Sequence, residues 1–260
     1  METNDSREHT MNLIDLSAPI RPDPAEYPDQ LRTDIEYSDH AAGARAIQSL
    51  FGVGPELLRD GEGWAVETFT RLGTHNSTHV DAPWHYNSTI GGEPAQKIDE
   101  LPLEWFLAPG LVVDATDRAD GESLSAADVA KRVPREPRER DIVLVHTGRD
   151  TYIDDPDYIA RGPGVTAEAT RWLFERGVRV MGIDAWGWDE PLHMQAERAK
   201  QSGEPGVFWA AHQCDLPYSQ IERLVNLDKL PLQGFEVACF PLRLVGGGAA
   251  PARAVAIVPD

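Results

Sequence analysis

Cysteine and basic side chains are scarce in this 260-residue chain. The two cysteines, Cys214 and Cys239, form neither a metal-binding motif nor a recognisable disulfide framework. Lysine and arginine number 24 against 43 aspartates and glutamates, which gives a formal net charge of −19. Since nucleic acids and anionic membranes attract basic patches, this balance argues against both as partners.

Long apolar runs and the common motifs of nucleotide-binding proteins and serine hydrolases are lacking as well. No run approaches the length of a transmembrane helix. The polar residues before the first predicted strand do not resemble a signal peptide, so we expect a reducing, cytoplasmic setting. We find no Walker A loop, no Rossmann fingerprint and no G-x-S-x-G elbow. The sequence therefore does not indicate nucleotide binding or serine hydrolysis.

Histidine is concentrated in one place. Three of the eight histidines lie in the eleven-residue segment His75-Asn-Ser-Thr-His79-Val-Asp81-Ala-Pro83-Trp-His85. Imidazole nitrogen and carboxylate oxygen are common ligands of Zn, Mn and Fe. His75, His79 and Asp81 therefore predict a catalytic site for a divalent metal, Mn or Zn, with coordination positions left open for water.

The spacing of these residues excludes a regular element throughout. In a strand, His75 and His79 would stand about 13 Å apart at roughly 3.3 Å per residue, too far for one ion. A helix brings residues four apart together but turns Asp81 away. The segment is therefore predicted to be a turn or a bent strand end, in keeping with Ser77 and Pro83.

His85 lies too far along the segment to be assumed a ligand. We expect it to act as general base towards the bound water and then as general acid towards the leaving group. Two alternatives are open: the histidines are solvated loop residues, or the protein binds a metal or small ligand without catalysis. His85 argues against the second alternative, because binding a metal would not require a further histidine in this segment.

The segment resembles the H-x-G-T-H-x-D-x-P-x-H signature of the metal-dependent cyclase/hydrolase family, with Ser77 where the pattern has glycine. That family includes kynurenine formamidases, isatin hydrolases and trans-dienelactone hydrolases. The resemblance continues through residues 14–20, 162–166, 182–184, 222–227 and 240–244. It implies a swivelling β/β/α fold and a homo-oligomer, a dimer.

The resemblance also implies a second pair of ligands, His212 and Glu222, and repeats the roles given above to the four residues of the segment. Glu222 follows His212 by ten residues, a shorter gap than the family shows, so Gln213 or Gln220 is an alternative ligand. The alternative for Glu222 is a solvated residue on a helix. Asp184, after a predicted buried strand, is either a site residue or a carboxylate that holds a loop.

The order of predicted elements indicates an α/β fold: a single domain with a mixed sheet over residues 12–260, preceded by a flexible tail over residues 1–11. The predicted strands are 12–16, 64–71, 111–114, 141–146, 178–184, 235–240 and 254–258. The predicted helices are 43–51, one from Ser125 to about Arg132, one from Thr166 to Gly177, and 217–225.

Aromatic residues close to these candidates in the sequence predict a pocket for a flat substrate. They are Trp84, Trp186, Trp188, Phe208 and Trp209. The resulting hypothesis is a metal-dependent hydrolase that opens a small cyclic or aryl amide, such as an isatin-like lactam. Kynurenine formamidase and lactone hydrolase are the alternatives within the family, and an aromatic polyketide cyclase is a further one.

Overall fold

A computed structural model describes residues 11–25, 27–29 and 31–259 of the chain. The strands are β1 (Met11–Asp15), β2 (Asp34–Ser38), β3 (Val66–Arg71), β4 (His79–Asp81), β5 (Thr89–Ile90), β6 (Glu93–Pro94), β7 (Leu107–Asp114), β8 (Ile142–His146), β9 (Val180–Ile183), β10 (Ser219–Glu222), β11 (Gln233–Ala238), β12 (Ala249–Pro251) and β13 (Val255–Pro259). The α-helices are α1 (His40–Phe51), α2 (Pro83–Tyr86), α3 (Ala126–Arg132), α4 (Ala167–Glu175) and α5 (Leu192–Ser202).

Short 3-10 helices complete the regular structure. They lie at Pro55–Leu57, Arg59–Gly61, Ile98–Glu100, Leu103–Trp105, Arg149–Tyr152, Pro156–Ala160 and Leu227–Lys229. None of the helices in the described ranges is long and apolar enough to span a membrane. The tail predicted for residues 1–11 falls outside the described residues except at Met11, which begins β1.

The contacts divide the chain into two compact units. The larger unit takes in the chain up to Pro19 and again from Ser77 onwards, and the smaller is Ile20–Asn76. In the smaller unit, β2 and β3 pair antiparallel. The loop after α1 passes so close to Gly43 that an added Cβ would meet the carbonyl oxygen of Trp64. Glycine is therefore required at that position in α1.

The larger unit is built on a nine-stranded sheet in the order β1-β13-β11-β7-β8-β9-β10-β4-β12. The four central strands β7, β8, β9 and β10 run parallel. β4 and the strands on the other flank pair antiparallel. The predicted α/β fold with a mixed sheet is confirmed.

Apolar side chains cover both faces of this sheet. On one face, Leu173 of α4 and Val129 of α3 pack with Val143 and Met181. On the other, Val80 and its neighbours pack against loops and 3-10 helices. Since the central strands are buried on both faces, they appear in the sequence as continuous apolar runs.

Most predicted elements are present, with ends that differ by a few residues. The Ser125–Asp128 capping box forms at the start of α3. Thr166 caps α4, and Gly177 follows the helix with a φ of 89°. The helix predicted over residues 217–225 is wrong, because this segment contains β10.

The reason for that error lies in the pairing of β10. It lies between β9 and β4, and all four of its residues are buried. Tyr218, Ile221 and Leu224 follow one another at three-residue intervals, which resembles a helical stripe, but each is a fully buried core residue. Tertiary pairing decides the conformation here, and Glu222 is consequently not a solvated helix residue.

Asp184, directly after β9, holds a loop. Its buried carboxylate accepts hydrogen bonds from the backbone N–H and hydroxyl of Thr147, at 2.7 and 2.6 Å, and from the N–H of Gly148 at 2.8 Å. These contacts join the carboxyl ends of β8 and β9. Of the two sequence-based interpretations of Asp184, these contacts support the loop-holding one.

We expect Asp184→Ala to lower the free energy of unfolding by about 2–4 kcal/mol, because three buried donors lose their acceptor. Urea unfolding measures the change. Asp114→Ala is the matched control: Asp114 ends β7 and caps Thr116 in the same way, but it is exposed. Equal losses in the two variants would contradict the assigned role.

Candidate metal centre

Strand β4 contributes two residues to the site, because a three-residue strand presents its first and last side chains on one face. Val80 points into the apolar core, while His79 and Asp81 point to the opposite face, where both are fully buried. β4 pairs antiparallel with β10, and the register sets His79 opposite Glu222 and Asp81 opposite Gln220. Two segments distant in the sequence thus contribute to one cluster.

Ser77 has a left-handed backbone conformation, with φ at 57°. Glycine adopts this conformation without steric cost, and for serine the cost is about 1 kcal/mol. The Ser77 hydroxyl donates a hydrogen bond to the carbonyl of Ala18 at 3.0 Å. The left-handed conformation accounts for the glycine in the signature that this segment resembles.

A hydrogen bond from Nδ1 to the backbone fixes the imidazole of His79. Nδ1 lies 2.9 Å from the carbonyl oxygen of Ser77, which fixes it as the donor and leaves Nε2 as the nitrogen able to bind a metal. Nε2 lies 3.4 Å from Oδ1 of Asp81 and 3.6 Å from Oε2 of Glu222. The three groups therefore converge on one point.

His212 joins the cluster from the loop before β10. Its Nε2 lies 3.5 Å from Oε1 of Glu222. The same Glu222 oxygen accepts a hydrogen bond from the backbone N–H of Trp188 at 2.8 Å. The short sequence gap between His212 and Glu222 does not keep them apart, because β10 carries Glu222 back towards His212.

Asp189 is a residue of this centre that the sequence reasoning did not single out. One of its oxygens lies 2.5 Å from Nδ1 of His212, and the carboxylate also accepts the backbone N–H groups of Ala211 and His212. It therefore orients the His212 ring as a carboxylate partner does for a metal-binding histidine. Its position in the loop after β9, beyond the carboxyl end of a parallel strand, was the available signal.

The cluster fits a divalent cation in its geometry. Ligand atoms about 2.1 Å from one ion, at angles of roughly 90–110°, stand about 3.0–3.5 Å apart. The separations of 3.4, 3.5 and 3.6 Å between imidazole nitrogens and carboxylate oxygens correspond to this spacing. They are longer than hydrogen bonds.

The electrostatics of the cluster also favour a cation. Asp81 and Glu222 are buried side by side, and two buried carboxylates need positive charge nearby. Burial alone would lower the pKa of His212, but its contacts with Asp189 and Glu222 raise that pKa to about 10. A divalent ion supplies the charge that these carboxylates demand.

His85 lies on α2, which begins at Pro83; only Ala82 separates this helix from β4. Its ring centroid is 6.0 Å from that of His212, and an atom each of Asp81, His85 and His212 lie within 4.8 Å of one another. The structure therefore brings His85 to the cluster, at a distance that suits either a ligand or a neighbouring acid/base group. Unlike His79 and Asp81, it is partly exposed.

His75 belongs to the smaller unit, whose last residue is Asn76. Its role as a ligand therefore stays a prediction from the sequence signature.

The predicted pocket aromatics have different surroundings. Trp209 stacks on His212 with centroids 4.4 Å apart and meets His85 edge-on at 5.0 Å. Trp186 lies under the guanidinium of Arg223, the residue after Glu222. Trp84 is exposed with Lys97 over its ring, and Phe208 is exposed. Trp188 is fully buried: its indole N–H donates to Thr170, while only its backbone N–H reaches Glu222.

Of the alternative ligands, Gln220 is the better placed. It is buried beside Asp81, and its Nε2 donates to the hydroxyl of Tyr218 at 2.5 Å, which directs Oε1 away from that tyrosine. Gln213 is exposed and its Nε2 lies 3.4 Å from the carbonyl of Tyr86.

Comparison with known proteins gives the class. Residues 14–190 match the family described as putative cyclase. The chain belongs to this cyclase family.

Particular relatives refine the comparison. A kynurenine formamidase of Salinibacter ruber is 33% identical over 192 residues, covering 71% of this chain and 76% of the relative. An isatin hydrolase of Roseibium aggregatum is 29% identical over 205 residues, covering 72% and 73%. Among solved structures, isatin hydrolase A from Labrenzia aggregata bound to benzyl benzoate has a TM-score of 0.71 at 24% identity, covering 96% of this chain and 94% of its own. The last comparison supports the fold alone.

We expect His79→Ala to lose most of the bound divalent metal, because Nε2 of His79 faces both carboxylates of the cluster. Elemental analysis of protein purified with Mn or Zn measures the loss. His193→Ala, which removes an exposed imidazole from α5, is the control and should keep its metal. Equal metal content in the two variants would exclude the site as described.

Proposed function

We propose that the protein is a metal-dependent hydrolase that cleaves the C–N bond of a small planar amide, with an isatin-like lactam as the first candidate. The observation that carries the proposal is the convergence of His79, Asp81, His212 and Glu222 around one point, with Trp209 stacked on His212. Membership of a family with amide-hydrolysing relatives supports it.

In this proposal, His75, His79, Asp81, His212 and Glu222 hold the metal, which we propose to be Mn or Zn. When bound, the ion lowers the pKa of a water molecule and polarises the amide carbonyl. The residues of the chain do the rest. Asp189 keeps His212 in the tautomer that offers Nε2, and the backbone N–H of Trp188 orients Glu222.

His85 moves the proton. It accepts one from the attacking water and returns it to the amide nitrogen as the C–N bond breaks. Its partial exposure lets a substrate reach the imidazole, and Trp209 offers an indole face or edge to a flat ring beside it. We further propose that the protein works as a cytoplasmic homodimer.

A formyl arylamine of the kynurenine type is the second candidate substrate. The contact between His212 and Glu222 favours it, because the short sequence gap between these residues does not keep the second pair of candidate ligands apart. The relative with 33% identity is also a kynurenine formamidase.

Turnover of isatin, N-formylkynurenine and a dienelactone under the same metal loading tests the proposal. We expect the highest kcat/KM for isatin. A preference for N-formylkynurenine would replace the lactam by the second candidate, and turnover of the lactone alone would overturn amide hydrolysis. A protein that binds metal but hydrolyses none of the three would favour the non-catalytic alternative.

We expect His85→Ala to keep its metal and to lose about 10²–10⁴-fold in kcat, the usual loss for a general acid/base. Kinetics and elemental analysis on one preparation give both values. His146→Ala, a partly buried histidine at the end of β8, serves as control and should retain both. If metal content falls in parallel with activity in His85→Ala, then His85 is a ligand.

A further inference from the structure

The hydroxyl of Tyr86 is buried and has no hydrogen-bond partner among the described residues. Tyr86 is the last residue of α2 and directly follows His85. Buried polar groups are nearly always paired, so each exception calls for an explanation. A phenylalanine would fill the same space without burying an unpaired hydroxyl.

The other buried tyrosines follow the usual rule. Tyr218 donates to the carbonyl of Ala211 at 2.8 Å, and Tyr158 donates to the carbonyl of Asp184 at 2.9 Å. Both hydroxyls therefore have a structural role that Tyr86 lacks.

Tyr86 lies against the candidate metal centre. Its ring centroid is 5.3 Å from that of His212, with the planes perpendicular, and 6.0 Å from that of His85. The ring of Tyr218 also packs against Tyr86, with centroids 5.1 Å apart. The Asp81 and Glu222 carboxylates are also close enough to act electrostatically on the phenol. The ring that carries the unpaired hydroxyl therefore packs against two imidazoles of the candidate centre.

We propose that the Tyr86 hydroxyl is a catalytic hydrogen-bond donor to the substrate oxygen that becomes negatively charged during amide hydrolysis. This inference rests on the proposed function. A neutral phenol donates one hydrogen and is protonated at neutral pH. Its partner is then the substrate, which explains why the protein itself provides none.

The step balances without a change of charge on Tyr86. The water oxygen forms a bond to the carbonyl carbon while its proton passes to His85, and the electron pair of the C=O π bond moves to the carbonyl oxygen. That oxygen accepts the Tyr86 hydrogen bond. The pair then returns to re-form the carbonyl, the C–N bond breaks, and His85 gives its proton to the nitrogen. Tyr86 keeps its proton throughout.

Tyr86→Phe tests the proposal, because it removes one oxygen atom and leaves the ring. We expect kcat on the preferred amide to fall about 10²–10³-fold, as when an oxyanion donor is lost. KM and metal content should stay the same. The melting temperature should stay the same or rise, since an unpaired buried hydroxyl is removed.

Tyr158→Phe is the matched control. It deletes a buried hydroxyl that donates to the backbone carbonyl of Asp184, so we expect a lower melting temperature and an unchanged kcat. An unchanged kcat in Tyr86→Phe overturns the proposal. A fall in its kcat that accompanies lost metal or a lower melting temperature overturns it too, because the hydroxyl would then have a structural role.

Binding of phenylphosphonate separates this inference from the proposed function. Its tetrahedral anionic head resembles the charged state of the reacting carbonyl, and calorimetry on the metal-loaded protein needs no turnover. We expect at least tenfold weaker binding to Tyr86→Phe than to the wild type and to Tyr158→Phe. If no amide is hydrolysed, the proposed function fails, and equal phosphonate affinities would then overturn the Tyr86 donor as well.

Discussion

The burial of Asp81 and Glu222 side by side is the constraint around which the centre is arranged. Two carboxylates in a water-poor environment are costly unless positive charge and hydrogen-bond donors compensate them. The chain supplies a backbone N–H to Glu222 and two imidazoles between the carboxylates. The high pKa of His212 has a related origin: burial lowers it, but the carboxylates of Asp189 and Glu222 stabilise the protonated ring. A divalent cation satisfies the whole group at once.

The sheet brings these charges together through one change of strand direction. β7 to β10 run parallel, and β4 then joins β10 antiparallel. The end of β10 thereby meets the start of β4, which sets Glu222 against His79. A slip of one residue would turn His79 and Asp81 into the apolar core and Val80 towards the cluster. The apolar packing of Val80 on the other face therefore fixes the register on which the metal centre depends.

The sequence predicts the parts of this arrangement that are local. The cluster of histidines around Asp81, the cap at Thr166 and the glycine after α4 can each be recognised within a few residues. The β10 segment cannot, because Tyr218, Ile221 and Leu224 have helical spacing and only the neighbouring strands make it extended. Asp189 is missed for a related reason. It matters because it contacts His212, and no sequence spacing predicts a contact between the loop after β9 and the loop before β10.

In the proposed function, the groups that hold the ion are separate from the group that moves the proton. His79 and His212 are buried and each has its Nδ1 fixed by an acceptor, so their rings have little freedom. His85 is partly exposed and lies on α2, which only Ala82 separates from β4. Because Pro83 is well suited to the first position of a helix, it helps to fix the short path from Asp81 to His85. If Asp81 is a ligand and His85 the acid/base group, as proposed, then one short stretch of chain both binds the ion and delivers the proton.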